Sequence, residues 1–325
     1  MKILLVRFSS IGDIVLTTPV IRCLKQQIPN SEIHYLTKSA YSSMLIANPY
    51  IDYVHEMKDN DLTTCIKKLK VLNLDHIVDL HHNLRTKRLK FSLGKPSTSF
   101  YKANLEKWFM VNMKIDKLPK KHIVDRYLET VEDLNVVNDK MGLDYFIPEA
   151  EKVNINSIDE DLQDYTAIVL GAKFQTKRFP IDKMSNVIRM LKGDVVLVGG
   201  NEDKADGEFL EHSRKRVFNC CGSYTINQSA DIIRQSKAVI SNDTGMMHIA
   251  AAFEKHLITL WGNTIPDFGM YPYFPENSLS QYKIIENHDL KCRPCSKIGF
   301  DKCPKKHFKC MVDLDETAIA ALLNK

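Results

Sequence analysis

Residues 237–252 read Lys237-Ala238-Val239-Ile240-Ser241-Asn242-Asp243-Thr244-Gly245-Met246-Met247-His248-Ile249-Ala250-Ala251-Ala252. Lys237 to Ile240 has the composition of a short buried strand, and Met247 to Ala252 that of a helix's first turns. A small, polar turn containing Gly245 therefore joins a strand's carboxyl end to a helix's amino end. Free backbone N–H groups and the positive end of the helix dipole converge there, which suits an anion. Asp243 or Thr244 is expected as the helix cap, and Gly245 lets a ligand approach the backbone. From this stretch alone, a capped helix without a ligand is the competing reading.

The same strand-turn-helix unit recurs outward in both directions. Upstream, strands are expected at Ala167–Leu170 and Val195–Val198, with helices at 181–191, 203–214 and 226–235. Downstream come a strand at 257–262 and a closing helix at 316–323. The first half repeats the pattern, with strands at 3–6, 33–36, 54–57, 76–80 and 98–101. Its helices are expected at 14–27, kinked or restarted by Pro19, and at 42–48, 61–72 and 122–134. Such alternation predicts parallel, doubly wound α/β sheets with helices on both faces. The polar, acidic run 148–164 reads as a linker. Two domains follow, 1–155 and 156–325, with a ligand cleft expected between them at the carboxyl ends of the strands.

Composition narrows the function. The 325 residues carry a formal charge of +5, are 26% charged and 44% hydrophobic, and contain no basic block interleaved with aromatics. An ordinary soluble protein is expected, with no nucleic-acid partner. No run approaches the ~20 apolar residues that cross a bilayer, and Met1–Arg7 lacks the pattern of a signal peptide. A cytoplasmic location is expected, where the eight cysteines stay reduced or bind metal. The absence of GxGxxG after the first strand, and of GxxxxGK[ST] anywhere, argues against a dinucleotide dehydrogenase and a P-loop kinase.

Polar residues gather at the strand ends. After the first strand comes Arg7-Phe8-Ser9-Ser10-Ile11-Gly12-Asp13, where Asp13 reads either as a base for an acceptor hydroxyl or as a helix-start acid. After the fourth comes Asp79-Leu80-His81-His82-Asn83-Leu84-Arg85-Thr86-Lys87-Arg88. Adjacent histidines point in different directions on regular structure, so polar substrate contact is preferred there to a metal site. In the second half, Lys173 and Lys177-Arg178 suit a diphosphate, and Glu202 suits a ribose diol. Cys292, Cys295, Cys303 and Cys310, spaced C-x2-C-x7-C-x6-C, fit either a structural zinc or a loop of packed thiols.

Taken together, these motifs resemble the lipopolysaccharide heptosyltransferases of glycosyltransferase family nine. Lys2–Pro19 resembles that family's amino-terminal signature, Ser241–Ala252 its nucleotide-sugar signature, Asp79–Arg85 its acceptor-side strand end, and Cys292–Cys295 with Cys303 and Cys310 its carboxyl-terminal segment. Arg7 stands where many members carry Lys, and His81-His82-Asn83 replaces a more usual Gln-Gly pair. The resemblance implies a GT-B fold, two Rossmann-like domains facing across a cleft. It implies inverting transfer of heptose from ADP-heptose to a lipopolysaccharide inner-core acceptor, without a catalytic metal or other cofactor, at the cytoplasmic face of the inner membrane. Asp13 then matches the catalytic base, and Lys177, Glu202, Asp243, Thr244, Gly245 and His248 the donor site. Ser10, Gly12, His81, Asn83 and Arg85 fall on the acceptor side. The alternatives are the same fold with another nucleotide sugar, or a nucleotide-sugar or glycan-binding protein without turnover.

Overall fold

A computed structural model describes residues 1–324. The chain forms two compact units. Residues 1–102, 121–148 and 273–276 make the first, and residues 103–120, 149–272 and 277 onward the second.

In the first unit the elements are β1 (Lys2–Val6), α1 (Ile11–Val15), α2 (Thr18–Gln27), β2 (Glu32–Lys38), α3 (Ser39–Ser42), β3 (Tyr53–Met57), α4 (Leu62–Lys70), β4 (His76–Asp79), α5 (Leu84–Leu93) and β5 (Ser97–Ser99). The next helix, α6 (Asn104–Met113), belongs to the second unit, and α7 (Ile123–Leu128) returns to the first. The sheet is parallel in the order β3-β2-β1-β4-β5. Ile3, Leu4, Leu5 and Val6 are fully buried, as expected of a strand covered on both faces. One core beneath the sheet joins Leu4, Val6, Leu36 and Ile77 to Leu62, Ile66 and Leu69 of α4. Those α4 residues recur at helical spacing, and Asp61 caps the helix by accepting from Thr63 and Thr64 N–H.

The second unit carries β6 (Tyr165–Val169), α8 (Ile181–Met190), β7 (Asp194–Val198), α9 (Lys204–Glu211), β8 (Val217–Asn219), α10 (Ile226–Gln235), β9 (Ala238–Asn242), α11 (Gly245–Ala252), β10 (His256–Trp261), β11 (Tyr282–Glu286), α12 (Lys309–Val312) and α13 (Glu316–Ala321). Its sheet is parallel in the order β11-β10-β9-β6-β7-β8. Each sheet winds outward in both directions from its centre. The strand order reverses between β1 and β4 in one sheet and between β6 and β9 in the other, and ligands of such sheets bind at the carboxyl ends of these strands.

β8, β11, α5 and α6 were not expected, and three of the expected segments take another form. The helix expected at 42–48 is only Ser39–Ser42, followed by turns bonded i to i+3 before Pro49. The helix expected at 122–134 tightens after Leu128 into a 3-10 segment, Glu129–Leu134, and His122 is its cap rather than its first residue. The run 148–164 is not a bare linker. Val153, Ile155 and Leu162 are buried, and Val153 N–H donates to Asp231 Oδ2 at 2.8 Å.

Candidate active site

In the second unit, the turn between β9 and α11 lies at the β6/β9 switch point. Thr244 is the residue before α11, in extended conformation, and neither it nor Asp243 caps the helix with its side chain. The expectation of a side-chain cap fails because the Asp243 carboxylate is engaged elsewhere. Its Oδ2 pairs with Lys177 Nζ at 2.6 Å and accepts from Thr264 Oγ1 at 2.7 Å. The first amides of α11 therefore have no side-chain acceptor, and a cation stands beside them, held by Asp243. Gly245 begins the helix, and His248 lies one turn in, buried. Glu202 sits exposed in the turn after β7, its carboxylate folded over Gly200.

Further residues hold this arrangement. Arg178, next to Lys177, pairs with buried Asp203 Oδ1 at 2.7 Å and donates to Ala172 O. Asp203 Oδ2 in turn accepts from Gly200 N–H at 2.9 Å. A Cβ at Gly171 would approach that oxygen to 2.5 Å, so the loops after β6 and β7 close on one carboxylate. Burial raises the Asp203 carboxyl above its ordinary value, while Gly200 N–H and Arg178 favour the charged form. Arg293, from the Cys-Arg-Pro-Cys motif, is buried and donates to Gly262 O at 2.5 Å and Thr264 O at 2.9 Å. It thereby fixes the loop that presents Thr264 to Asp243. Thr176, beside Lys177, donates its N–H to Phe300 O, and Phe300 N–H donates to Thr176 Oγ1 at 2.8 Å. Arg178, expected with Lys177 as a cation for a diphosphate, is instead committed to Asp203, and the only advance signal for Arg293 was its place between Cys292 and Cys295.

The four clustered cysteines are free thiols. Cys295 Sγ lies 3.1 Å from Cys292 O, and Cys292 Sγ 3.8 Å from His307 Nε2. Burial pushes the Cys295 thiol up to about 11, helped by Cys292, and burial pushes Cys310 up to about 12. Among the described residues, no three His, Cys, Asp or Glu side chains are arranged to hold a metal ion. Cys310 is buried and the other three are half-buried, in a segment that braces the Lys177 and Thr264 loops.

In the first unit, the β1/β4 switch point carries the other group of predicted residues. Asp13 lies in the first turn of α1, where its Oδ2 accepts from Ser10 N–H at 3.2 Å and Ser10 Oγ–H at 2.8 Å. Its Oδ1 pairs with Arg7 Nη2 at 2.6 Å. Arg7 is itself fixed by Leu80 O and the Tyr127 hydroxyl. Burial alone would raise the Asp13 carboxyl. The Arg7 charge and the Ser10 donors outweigh it and hold the group below the usual carboxylate range. Gly12 is buried in the same turn. His81 and His82 leave β4 over the Asp79 carboxylate, which accepts both their N–H groups. The His81 ring packs on Phe8, and burial, with Arg7 and Lys102 nearby, pushes it down to about 4, so it is neutral at pH 7. Asn83 Oδ1 caps α5 through Thr86 N–H at 3.0 Å. Arg85 lies 5.8 Å from the Phe8 ring centroid and, with Arg88, Asn60 and Thr63, lines an open depression of about 360 Å³. The structure thus groups Ser10, Gly12 and Asp13 in one turn, and brings His81 and Arg85 to Phe8.

Two doubly wound parallel domains, one with a charged carboxylate at its switch point and the other with a cation beside an uncapped helix start, define a glycosyltransferase of GT-B type. The chain belongs to glycosyltransferase family 9 (heptosyltransferase), whose family model matches residues 62–302. It is 24% identical to lipooligosaccharide heptosyltransferase 2 of Haemophilus influenzae, over 92% of this chain and 93% of that protein. Among solved structures it is similar to ADP-heptose lps heptosyltransferase II of E. coli, with a TM-score of 0.75, 20% identity and coverage of 100% and 98% of the two chains. It is also similar to the E. coli heptosyltransferase WaaC with ADP, with a TM-score of 0.71, 17% identity and 99% coverage of both chains.

Proposed function

We propose that this protein transfers heptose from ADP-heptose to a lipopolysaccharide inner-core acceptor, with inversion at the anomeric carbon. The observation that carries the donor half is Lys177 Nζ held by Asp243 beside the uncapped start of α11. Those groups match a diphosphate, whose charge grows as it leaves. Glu202 takes the ribose hydroxyls. Asp243, Thr244, Gly245 and His248 line the phosphates and the sugar. Adenine is the base bound by WaaC, and heptose the sugar named for the family's relatives.

The acceptor half rests on Asp13. The acceptor hydroxyl replaces the Ser10 hydroxyl at Oδ2, its oxygen bonds the anomeric carbon, and the bond from that carbon to the phosphate oxygen breaks. The electron pair leaves with ADP, and the hydroxyl proton passes to Asp13. A carboxylate held charged is a weak base, but the attacking hydroxyl becomes strongly acidic as its bond to carbon forms. Ser10, Gly12, His81, Asn83 and Arg85 contact the acceptor, and Arg85 with Arg88 meets its anionic groups. Because that acceptor is a glycolipid, the enzyme works on the cytoplasmic face of the inner membrane. ADP release measured with ADP-heptose and an acceptor bearing 3-deoxy-octulosonate tests the reading. Turnover is expected with ADP-heptose and not with UDP- or GDP-sugars, and the reverse preference would refute the donor assignment.

A further inference from the structure

Helix α6 and its flanks carry a feature the reaction does not use. At 100° per residue, Met110 and Val111 fall on the back of the helix, where they pack against Leu118, Ile265 and Phe268. Leu105, Trp108, Phe109, Asn112 and Met113 fall on the front. No residue of α6 is buried, and Leu105, Trp108 and Met113 stay 62%, 52% and 54% exposed. Ile115 follows, also exposed. A folded protein rarely leaves a Trp and two long aliphatic chains side by side in water without a use for them.

The surrounding charge identifies the occupant. Residues 102–121 contain six lysines against two acidic residues, a net +4 beside +5 for the whole chain. Lys117 Nζ lies 5.0 Å from the Phe109 ring centroid, so a cation sits on the apolar front itself. Lys114 is committed to Cys292 O and Pro294 O, which ties the helix end to the body of its unit. Lys120 pairs with Asp116 in full solvent, a contact that salt and lipid headgroups readily replace. An apolar face with Trp, edged by lysines, is the composition of a helix lying in a bilayer's headgroup region. Lysine stems add apolar surface while their amines reach the phosphates.

We propose that α6 is an interfacial anchor that seats on an anionic phospholipid leaflet, with Leu105, Trp108 and Met113 inserted and Lys117 at the headgroups. The proposal rests on the membrane-face reading above but is tested without substrate. The full chain is mixed with vesicles of phosphatidylglycerol and phosphatidylethanolamine, or of phosphatidylcholine alone, and sedimented. Binding is expected to the anionic vesicles, to weaken about tenfold between low and high salt, and to be absent from the neutral ones. Trp108 and Trp261 are the two tryptophans of the chain, and Trp261 is 1% exposed, so a blue shift of emission on binding reports Trp108. The double variant Leu105→Ser, Trp108→Ser should lose about tenfold or more of the partitioning. It should keep its melting temperature and its turnover of a delipidated, water-soluble acceptor. Wild-type protein that ignores anionic vesicles, or a double variant that binds them equally, overturns the proposal. So does a self-association broken by the same substitutions without any vesicle binding. Failure of the enzymatic reading would show separately, as no ADP release from the soluble acceptor by either form.

Discussion

Asp13 is a carboxylate locked in its charged form by an arginine that is itself almost wholly inside the protein. Three acceptors fix Arg7: Ser9 O, Leu80 O and the Tyr127 hydroxyl, so its charge cannot drift from Asp13. A lysine at this position would supply charge but not a planar fork that reaches these acceptors and Asp13 together. The sign of the pH effect follows. Because the folded-state value is lowered, the pairing stabilises the fold fully above the ordinary carboxylate value of about 3.9 and is lost as pH falls through the folded value. The acid limb of the rate profile should therefore lie below the ordinary carboxylate range. Arg7→Met should move that limb upward and lower the melting temperature, since it strands a partly buried charge at a cost of about 3–5 kcal/mol. Rate profiles of both forms carried into the acid range check the limb and thermal melts check the stability, and an unmoved limb would separate Asp13 from Arg7.

At the scale of elements, the segment from Cys292 to Cys310 is a brace for the donor loops. Arg293 grips the carbonyls of Gly262 and Thr264, Cys295 N–H bonds Asn263 O, and Phe300 bonds Thr176. Arg293→Met should free Thr264 from Asp243 and loosen Lys177. We expect ADP binding by calorimetry to weaken about tenfold or more, the loss of one or two charge-assisted bonds, with unaltered ADP affinity as the contradicting result. This brace was hidden in the sequence because its contacts join residues 30 to 120 positions apart, and the cysteines drew the reading to metal chemistry. Regular elements were legible where burial wrote them. β1, β4, β6, β7, β9 and β10 are apolar runs covered on both faces, and α4, α8 and α10 carry their apolar residues at helical spacing. What escaped was β8, three residues long, β11, an edge strand whose residues are only partly buried, and the helices α5 and α6, of which α6 buries nothing. The site was legible as motifs at strand ends. The ion pairs Arg7–Asp13, Lys177–Asp243 and Arg178–Asp203 were not, since pairing across a fold leaves no local pattern.

For the whole molecule, the chemistry is divided between the two units. In the proposed reaction the first holds the carboxylate assigned to the acceptor's proton, Asp13, at the switch between β1 and β4. The second holds the cation and helix start assigned to the donor's charge, at the switch between β6 and β9. Each group lies where a doubly wound parallel sheet opens a crevice, so on this assignment one fold, used twice, serves two substrates. The division predicts that damage to one unit spares the other's ligand. The most direct measurement is Asp13→Asn, assayed for ADP release with ADP-heptose and acceptor, and for ADP-heptose binding by calorimetry. Turnover should fall by about 10²–10⁴-fold, the usual share of a positioned base, while the donor dissociation constant stays within about twofold and the fold is retained. Turnover near that of the wild type, or a donor affinity lost together with turnover, would contradict the assignment.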